Sequence, residues 1–192
     1  MFQEESELKK LGVFTLSQAE ELGISHQKLS TLVKEGKILR MDRGLYLHHE
    51  ANIKREIDFQ IALAKFGPTS AIGGLSALFY YNLAEQVPNQ TWVLVPPTKK
   101  TASKGYRLIR TKIRLDHGIV EGKGYRIVSI ERAIVEACKL ASKIGERTAI
   151  KAARTAIQEK MTTLPKLAKM AKELGLEKSL NKYFEAIIGA LQ

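Results

Sequence analysis

Apolar and polar positions in the first fifty residues alternate with a helical and then a strand-like period. Leu29, Leu32 and Val33 follow the i, i+3, i+4 spacing of a stripe buried along one side of a helix. Ser25 is a good N-cap for that helix, and Gly36 closes it. Upstream, Ser17-Gln18-Ala19-Glu20 fits a capping box, so a helix of about two turns starts there. Gly23 supplies the left-handed residue that ends it. Two short helices joined by the tight turn Leu22-Gly23-Ile24 have helix-turn-helix spacing. At 100° per residue, the side of the second helix opposite its apolar stripe carries Gln27, Thr31 and Lys34, flanked by Lys28 and Ser30. Glutamine pairs with adenine, threonine offers a hydroxyl and a methyl, and lysine reaches guanine or phosphate. The plainer reading of that helix, taken alone, is an ordinary solvated face.

The next stretch weighs against the plainer reading. Ile38 to Met41 and Gly44 to His48 are two strand-like runs around Asp42-Arg43-Gly44, a tight hairpin directly after the second helix. That is the position of a wing, where Arg40 and Arg43 would meet phosphates and fix register without reading sequence. Tyr46 with Leu45 or Leu47 is expected to pin the wing to the core. The candidate DNA-contacting set is therefore Ser25, Gln27, Lys28, Ser30, Thr31, Lys34, Arg40 and Arg43.

Beyond residue 50 the pattern is mixed. A helix is read over 52–66, stopped by Gly67-Pro68, then a helix over 75–83 and a buried strand over 91–95 before Pro96-Pro97. Alternation over 106–115 predicts a half-buried strand with Arg110, Lys112 and Arg114 on its outer face. With Lys99, Lys100 and Lys104 these form a second basic surface that suits phosphates, an acidic protein or solvent alone. A hairpin is read around 122–124. Ser129 caps a helix through about 141, and further helices are read over 146–159, 164–174 and 178–191. The chain thus reads as α+β. A winged helix-turn-helix over 1–50 precedes a mixed α/β domain over 51–192, with a small sheet at about 69–128 and a helical part over 129–192.

Charge sharpens this picture. The 192 residues carry a formal net charge of +11, which favours a polyanionic partner such as nucleic acid. Residues 1–50 are net −1, with acids early and Lys28, Lys34, Lys37, Arg40 and Arg43 later, so the excess lies C-terminal to them. The apolar runs at 92–95 and 186–191 fall well short of the roughly 20 residues of a membrane span. The acidic start is unlike a signal peptide, and a cytoplasmic protein is expected.

No enzyme chemistry stands out. Asp116 with Glu121 and Lys123 superficially matches a PD-(D/E)xK nuclease, but hairpin-end chemistry explains these residues more simply. His26, His48, His49 and His117 lack metal-ligand spacing, and Gly73-Gly74 lacks the ending of a phosphate loop. The single cysteine, Cys138, sits in an apolar helical pattern and reads as a buried small hydrophobe. Neither a cofactor nor a metal is expected, and the protein is expected not to be an enzyme.

The runs Gly12-Val13-Phe14-Thr15-Leu16-Ser17-Gln18-Ala19, Leu32-Val33-Lys34-Glu35-Gly36-Lys37-Ile38 and Arg43-Gly44-Leu45-Tyr46 resemble the N-terminal winged helix of AbiEi-type antitoxins. Phe66-Gly67-Pro68, Gly74 to Leu78, and Val128-Ser129-Ile130-Glu131-Arg132-Ala133-Ile134-Val135-Glu136 look like landmarks of the antitoxin domain, so the resemblance covers about 12–140. It implies a type IV toxin-antitoxin system acting in abortive infection of phage-infected cells. The antitoxin would repress its own operon at inverted repeats of double-stranded DNA, as a dimer or cooperative pair. It would also oppose a nucleotidyltransferase-type toxin without a stable complex. The alternatives are a winged-helix regulator with no toxin partner and, further off, the nuclease.

Overall fold

The structure, a computed structural model, describes residues 2–51 and 56–189. It divides into two compact units, residues 1–68 and 69–192.

In the first unit, helix α1 (Phe2–Leu11) leads into strand β1 (Val13–Thr15), helices α2 (Leu16–Glu21) and α3 (His26–Lys34), strands β2 (Ile38–Asp42) and β3 (Leu45–His48), and helix α4 (Ile57–Phe66). Neither α1 nor β1 is marked by the apolar pattern. Glu4 and Glu5 in the first turn of α1 and Lys9 and Lys10 in its last turn complement the helix dipole. The cap of α2 also differs from expectation. Thr15, not Ser17, is the N-cap: its hydroxyl accepts from the Gln18 amide at 3.3 Å, and the Gln18 side chain accepts from the Thr15 amide at 2.9 Å. Both four-residue windows satisfy the box, and the earlier one prevails because β1 pairs with β3 only as far as Thr15↔Leu45. Replacing Thr15 by alanine is expected to cost about 1 kcal/mol, read as a lower urea midpoint by circular dichroism.

The α2–α3 turn closes as a Schellman motif, with Gly23 at φ 77° and the Ile24 amide donating to the Ala19 carbonyl at 2.9 Å. Ala19 and Ile24 are both buried, which supplies the apolar contact that accompanies the motif. Ser25 caps α3, accepting from the Lys28 amide at 3.2 Å.

The three strands form an antiparallel sheet in the order β1-β3-β2. One face, through Phe14, Ile38 and Tyr46, joins Leu8, Ala19, Ile24, Leu29 and Leu32 in the main core. The Tyr46 ring stacks on Phe14 with centroids 5.8 Å apart. The other face, through Val13, Leu45 and Leu47, is covered by Ile57, Ile61 and Ala64 of α4. The spacing i, i+4, i+7 puts these three on one side of α4. This is why the compact unit runs past residue 50 to Pro68. Of the helix read over 52–66, residues 52–55 lie outside the described residues.

The second unit holds β4 (Ala71–Ile72), α5 (Gly74–Tyr80), β5 (Thr91–Val95), β6 (Tyr106–Arg110), β7 (Ile119–Gly122), β8 (Tyr125–Val128) and α6 (Ile130–Lys139). Five more helices follow: α7 (Ala141–Ile144), α8 (Glu146–Gln158), α9 (Leu164–Glu173), α10 (Glu177–Asn181) and α11 (Phe184–Ile188). The sheet order is β6-β5-β4-β8-β7, with β5-β6 and β4-β8 parallel and the other pairs antiparallel. Helix α6, capped by Ser129, packs against α5, α8, α9 and α10. Because it is covered on several sides, every residue from Arg132 to Cys138 is buried.

Two expectations need correction here. The strand read over 106–115 ends at Arg110. Thr111 is buried, its amide still donating to the Val95 carbonyl at 3.1 Å, while its hydroxyl accepts from the Ile113 amide at 3.0 Å. That hydroxyl turn bends the chain off the sheet, so Lys112 and Arg114 do not continue the outer face of β6. The helix read over 178–191 is two helices, separated where the Tyr183 amide bonds to the Leu180 carbonyl three residues back. Residues 190 and 191 of that reading lie outside the described residues.

Candidate nucleic-acid interface

Helix α3 is fixed from behind. Leu29 and Leu32 are buried and Val33 packs against the same core, which leaves the opposite edge outward. Ser25, Gln27, Ser30, Thr31 and Lys34 are all exposed. Thr31 donates its hydroxyl hydrogen to the Gln27 carbonyl at 3.2 Å. What it can still offer a groove is its methyl group and its oxygen as an acceptor.

The wing follows directly. Arg40 pairs with Tyr46 across the ladder and so lies on the sheet face that packs toward the helices, while Arg43 stands at the hairpin tip. A register shift between Arg40 and Asp42 marks a bulge, and Gly44, at φ 71°, completes the tight turn. Asp42 anchors this tip. Its carboxylate accepts from the Arg43 amide at 2.7 Å and from the Lys65 ammonium on α4. Lys65 and then the Arg43 amide hold the Asp42 carboxyl below its usual range. A lowered folded-state pKa means that this contribution to wing stability is present at neutral pH and fades as pH falls through the lowered value.

Ion pairing sorts the cations of this unit. Lys9 binds Glu50, Lys10 binds Glu7, Lys37 binds Glu5 and Glu35, and Lys28 binds Glu4. Lys28 is thus half-buried against α1 instead of standing in the open edge of α3, and it holds the Glu4 carboxyl low. Lys34, Arg40 and Arg43 make no ion pair among the described residues. Local neutrality therefore coexists with a cationic rim, because Glu4, Glu5 and Glu7 are matched to Lys28, Lys37 and Lys10.

His48, the last residue of β3, is buried. Its Nδ1 accepts from the Glu50 amide at 3.2 Å, its Nε2 has no partner, and burial, then the neighbouring His49, pushes its pKa down. Burial thus disfavours its charged form. His49 is exposed, with Nδ1 2.8 Å from the Lys37 carbonyl.

The second basic surface is less open than its sequence. Lys99, Lys100, Lys104 and Lys112 are exposed. Arg114, however, is held by both oxygens of Asp116 at 3.0 and 2.7 Å, and Arg110 donates through Nε to the Lys99 carbonyl at 2.8 Å. The nuclease-like acids are spoken for as well, Asp116 by Arg114 and Glu121 by Arg126 at 2.7 Å. Among the described residues no group of three acids, histidines or cysteines could hold a metal ion. Burial pushes the Cys138 thiol up to about 11, which removes it as a nucleophile near neutrality. No helix among the described residues is long and apolar enough to cross a membrane.

A three-stranded winged sheet beside a capped, outward-facing second helix makes the first unit a winged helix-turn-helix module. Residues 2–47, which lie within this module, match the family described as "Transcriptional regulator, AbiEi antitoxin". No curated protein matches the chain. Among solved structures, the crystal structure of the RV2827C protein from Mycobacterium tuberculosis is similar over 88% of this chain and 72% of that one. At a TM-score of 0.56 and 12% identity, the likeness is one of fold.

Proposed function

We propose that the protein is an antitoxin and transcriptional autorepressor, binding inverted repeats in the duplex upstream of its own operon. In this reading Ser25, Gln27, Ser30 and Thr31 meet base edges or nearby phosphates in the major groove. Lys34, Arg40 and Arg43 neutralise phosphates. The observation that carries it is the open polar edge of α3 with an unpaired cationic rim, inside the residues that match an antitoxin regulator family.

Lys28 enters with a different role from the one its spacing suggests. Bound to Glu4, it ties α3 to α1, so Lys28→Ala is expected to leave the salt dependence of DNA binding unchanged. A slope shallower by about one unit would put Lys28 on a phosphate instead.

The second unit is where opposition to a nucleotidyltransferase-type toxin would reside, acting on the toxin's effect without a stable complex. A gel shift with the protein's own upstream region tests the repressor. Rescue of growth on co-expression with the product of an adjacent toxin gene tests the antitoxin. A shift without rescue, and no toxin gene beside it, would leave a plain winged-helix regulator.

A further inference from the structure

Strand β6 ends its sheet, and no strand lies beyond it among the described residues. At one end of it the Gly105 carbonyl accepts from the Thr91 amide at 2.9 Å, and at the other the Thr111 amide donates to the Val95 carbonyl at 3.1 Å. Both therefore turn toward β5. Backbone groups point alternately to the two sides of a strand, so those of Arg107 and Ile109 also turn inward and those of Leu108 and Arg110 turn outward. The outward amides and carbonyls of Leu108 and Arg110 have no backbone partner among the described residues. An edge of this kind is a template for one more strand.

The surroundings of this edge are cationic. From Lys99 to Arg114 the chain carries seven basic residues and no acid. Alternation puts Arg107 on one face of β6 and Arg110 on the other. The Arg107 guanidinium is held 4.3 Å from the centroid of the Trp92 ring, and Arg110 is steadied by the Lys99 carbonyl. A cavity of about 250 Å3 borders the strand, with residues 107–111 on one wall and Lys139, Leu140 and Lys143 on another. Lys139 and Lys143 are exposed and make no ion pair among the described residues. The one acid bordering this cavity, Glu136, is buried and bound to Arg132.

From this pairing of open backbone groups with a cationic border, we propose that β6 accepts an acidic, extended segment of another protein as an added strand. Main-chain hydrogen bonds to Leu108 and Arg110 supply the attachment. Carboxylates of the added segment meet Arg107, Lys139 and Lys143, which supplies the selectivity. A second copy of this chain is disfavoured as the occupant, because its own β6 would bring like charges face to face. All of these groups belong to the second unit, so the inference stands apart from the DNA-binding reading.

The probe is a fluorescein-labelled octapeptide of alternating glutamate and valine, titrated with the full chain and followed by anisotropy. Saturable binding is expected, with none by the matching lysine-valine peptide. The acidic peptide is then N-methylated on alternate residues, in each of the two phases, which removes amide donors and keeps every charge. One phase should abolish binding and the other spare it, since only one set of amides faces β6. Hydrogen exchange at the Leu108 and Arg110 amides should slow in the complex. Lys139→Ala/Lys143→Ala should weaken binding about fivefold, the size of two exposed ion pairs. Lys34→Ala/Arg40→Ala/Arg43→Ala, confined to the first unit, should leave it unchanged. Absence of saturable binding, equal binding by both methylated phases, or unslowed exchange at Leu108 and Arg110 would overturn the proposal. So would displacement of the peptide by a single-stranded thymidine octamer at equal concentration, which would mark a general polyanion surface.

Discussion

Replacing Arg132 by methionine is expected to destabilise the second unit by about 3–5 kcal/mol, the cost typical of leaving a buried charge without its partner. Arg132 is fully buried. Its Nε donates to Glu136, and Nη1 donates to the Arg114 carbonyl at 2.8 Å and to the His117 carbonyl. The guanidinium therefore neutralises a carboxylate one turn along α6 and holds the 114–117 segment against that helix. Burial pushes the Glu136 carboxyl above its usual range, and the charge of Arg132 acts against that push. With arginine gone, nothing as close opposes it. The measurement is urea unfolding followed by emission of Trp92, which is buried in β5 and so reports the second unit. Arg132→Met/Glu136→Leu should recover most of the loss, since two apolar side chains leave no uncompensated charge in the same space. A single-variant cost under about 1 kcal/mol, the value of an exposed pair, would show that the pair is solvated in solution.

The apolar spacing of Ile130, Ile134 and Ala137 marks one inward face of α6 and carries no sign that Arg132 and Glu136 are buried. What buries the other face is the packing of α5, α8, α9 and α10 around α6, a set of long-range contacts that no local pattern encodes. The same distinction runs through the rest of the chain. Helix α3, its caps and the wing were legible because they rest on neighbours within a few residues: the Ser25 hydroxyl, the turn glycines and the Leu29/Leu32/Val33 stripe. Strand β6 was legible as far as Arg110. Its end depends on Thr111 hydrogen-bonding to the amide two residues on, which strand alternation does not register. Two-residue β4, central in its sheet, is too short to carry a period at all. In the candidate interface, the exposure of Gln27, Thr31 and Lys34 follows from helical geometry. The sequestering of Lys28 by Glu4 could not be anticipated, because those residues meet only after α1 docks.

The same pairing logic sets the second large expected effect. Lys34→Ala/Arg40→Ala/Arg43→Ala should flatten the log-salt slope of DNA binding by about three units, close to one released counterion per neutralised phosphate. Affinity should fall by about tenfold for each phosphate no longer neutralised. The loss should be similar on operator and random duplex, since backbone contacts carry no sequence information. Gln27→Ala should behave in the opposite way, losing about 1–3 kcal/mol on the operator while sparing random DNA. Thr31 separates the two chemistries further. Its hydroxyl hydrogen is engaged by the Gln27 carbonyl, so contact with a thymine methyl would run through its Cγ2, and Thr31→Val should bind better than Thr31→Ala. These three residue classes sit on one short helix and one hairpin held by a shared core. Circular dichroism and the urea midpoint should therefore stay unchanged across the set. An unaltered slope in the triple variant would remove the wing from the duplex, and a Gln27→Ala loss that is equal on random DNA would move that side chain from the bases to the backbone.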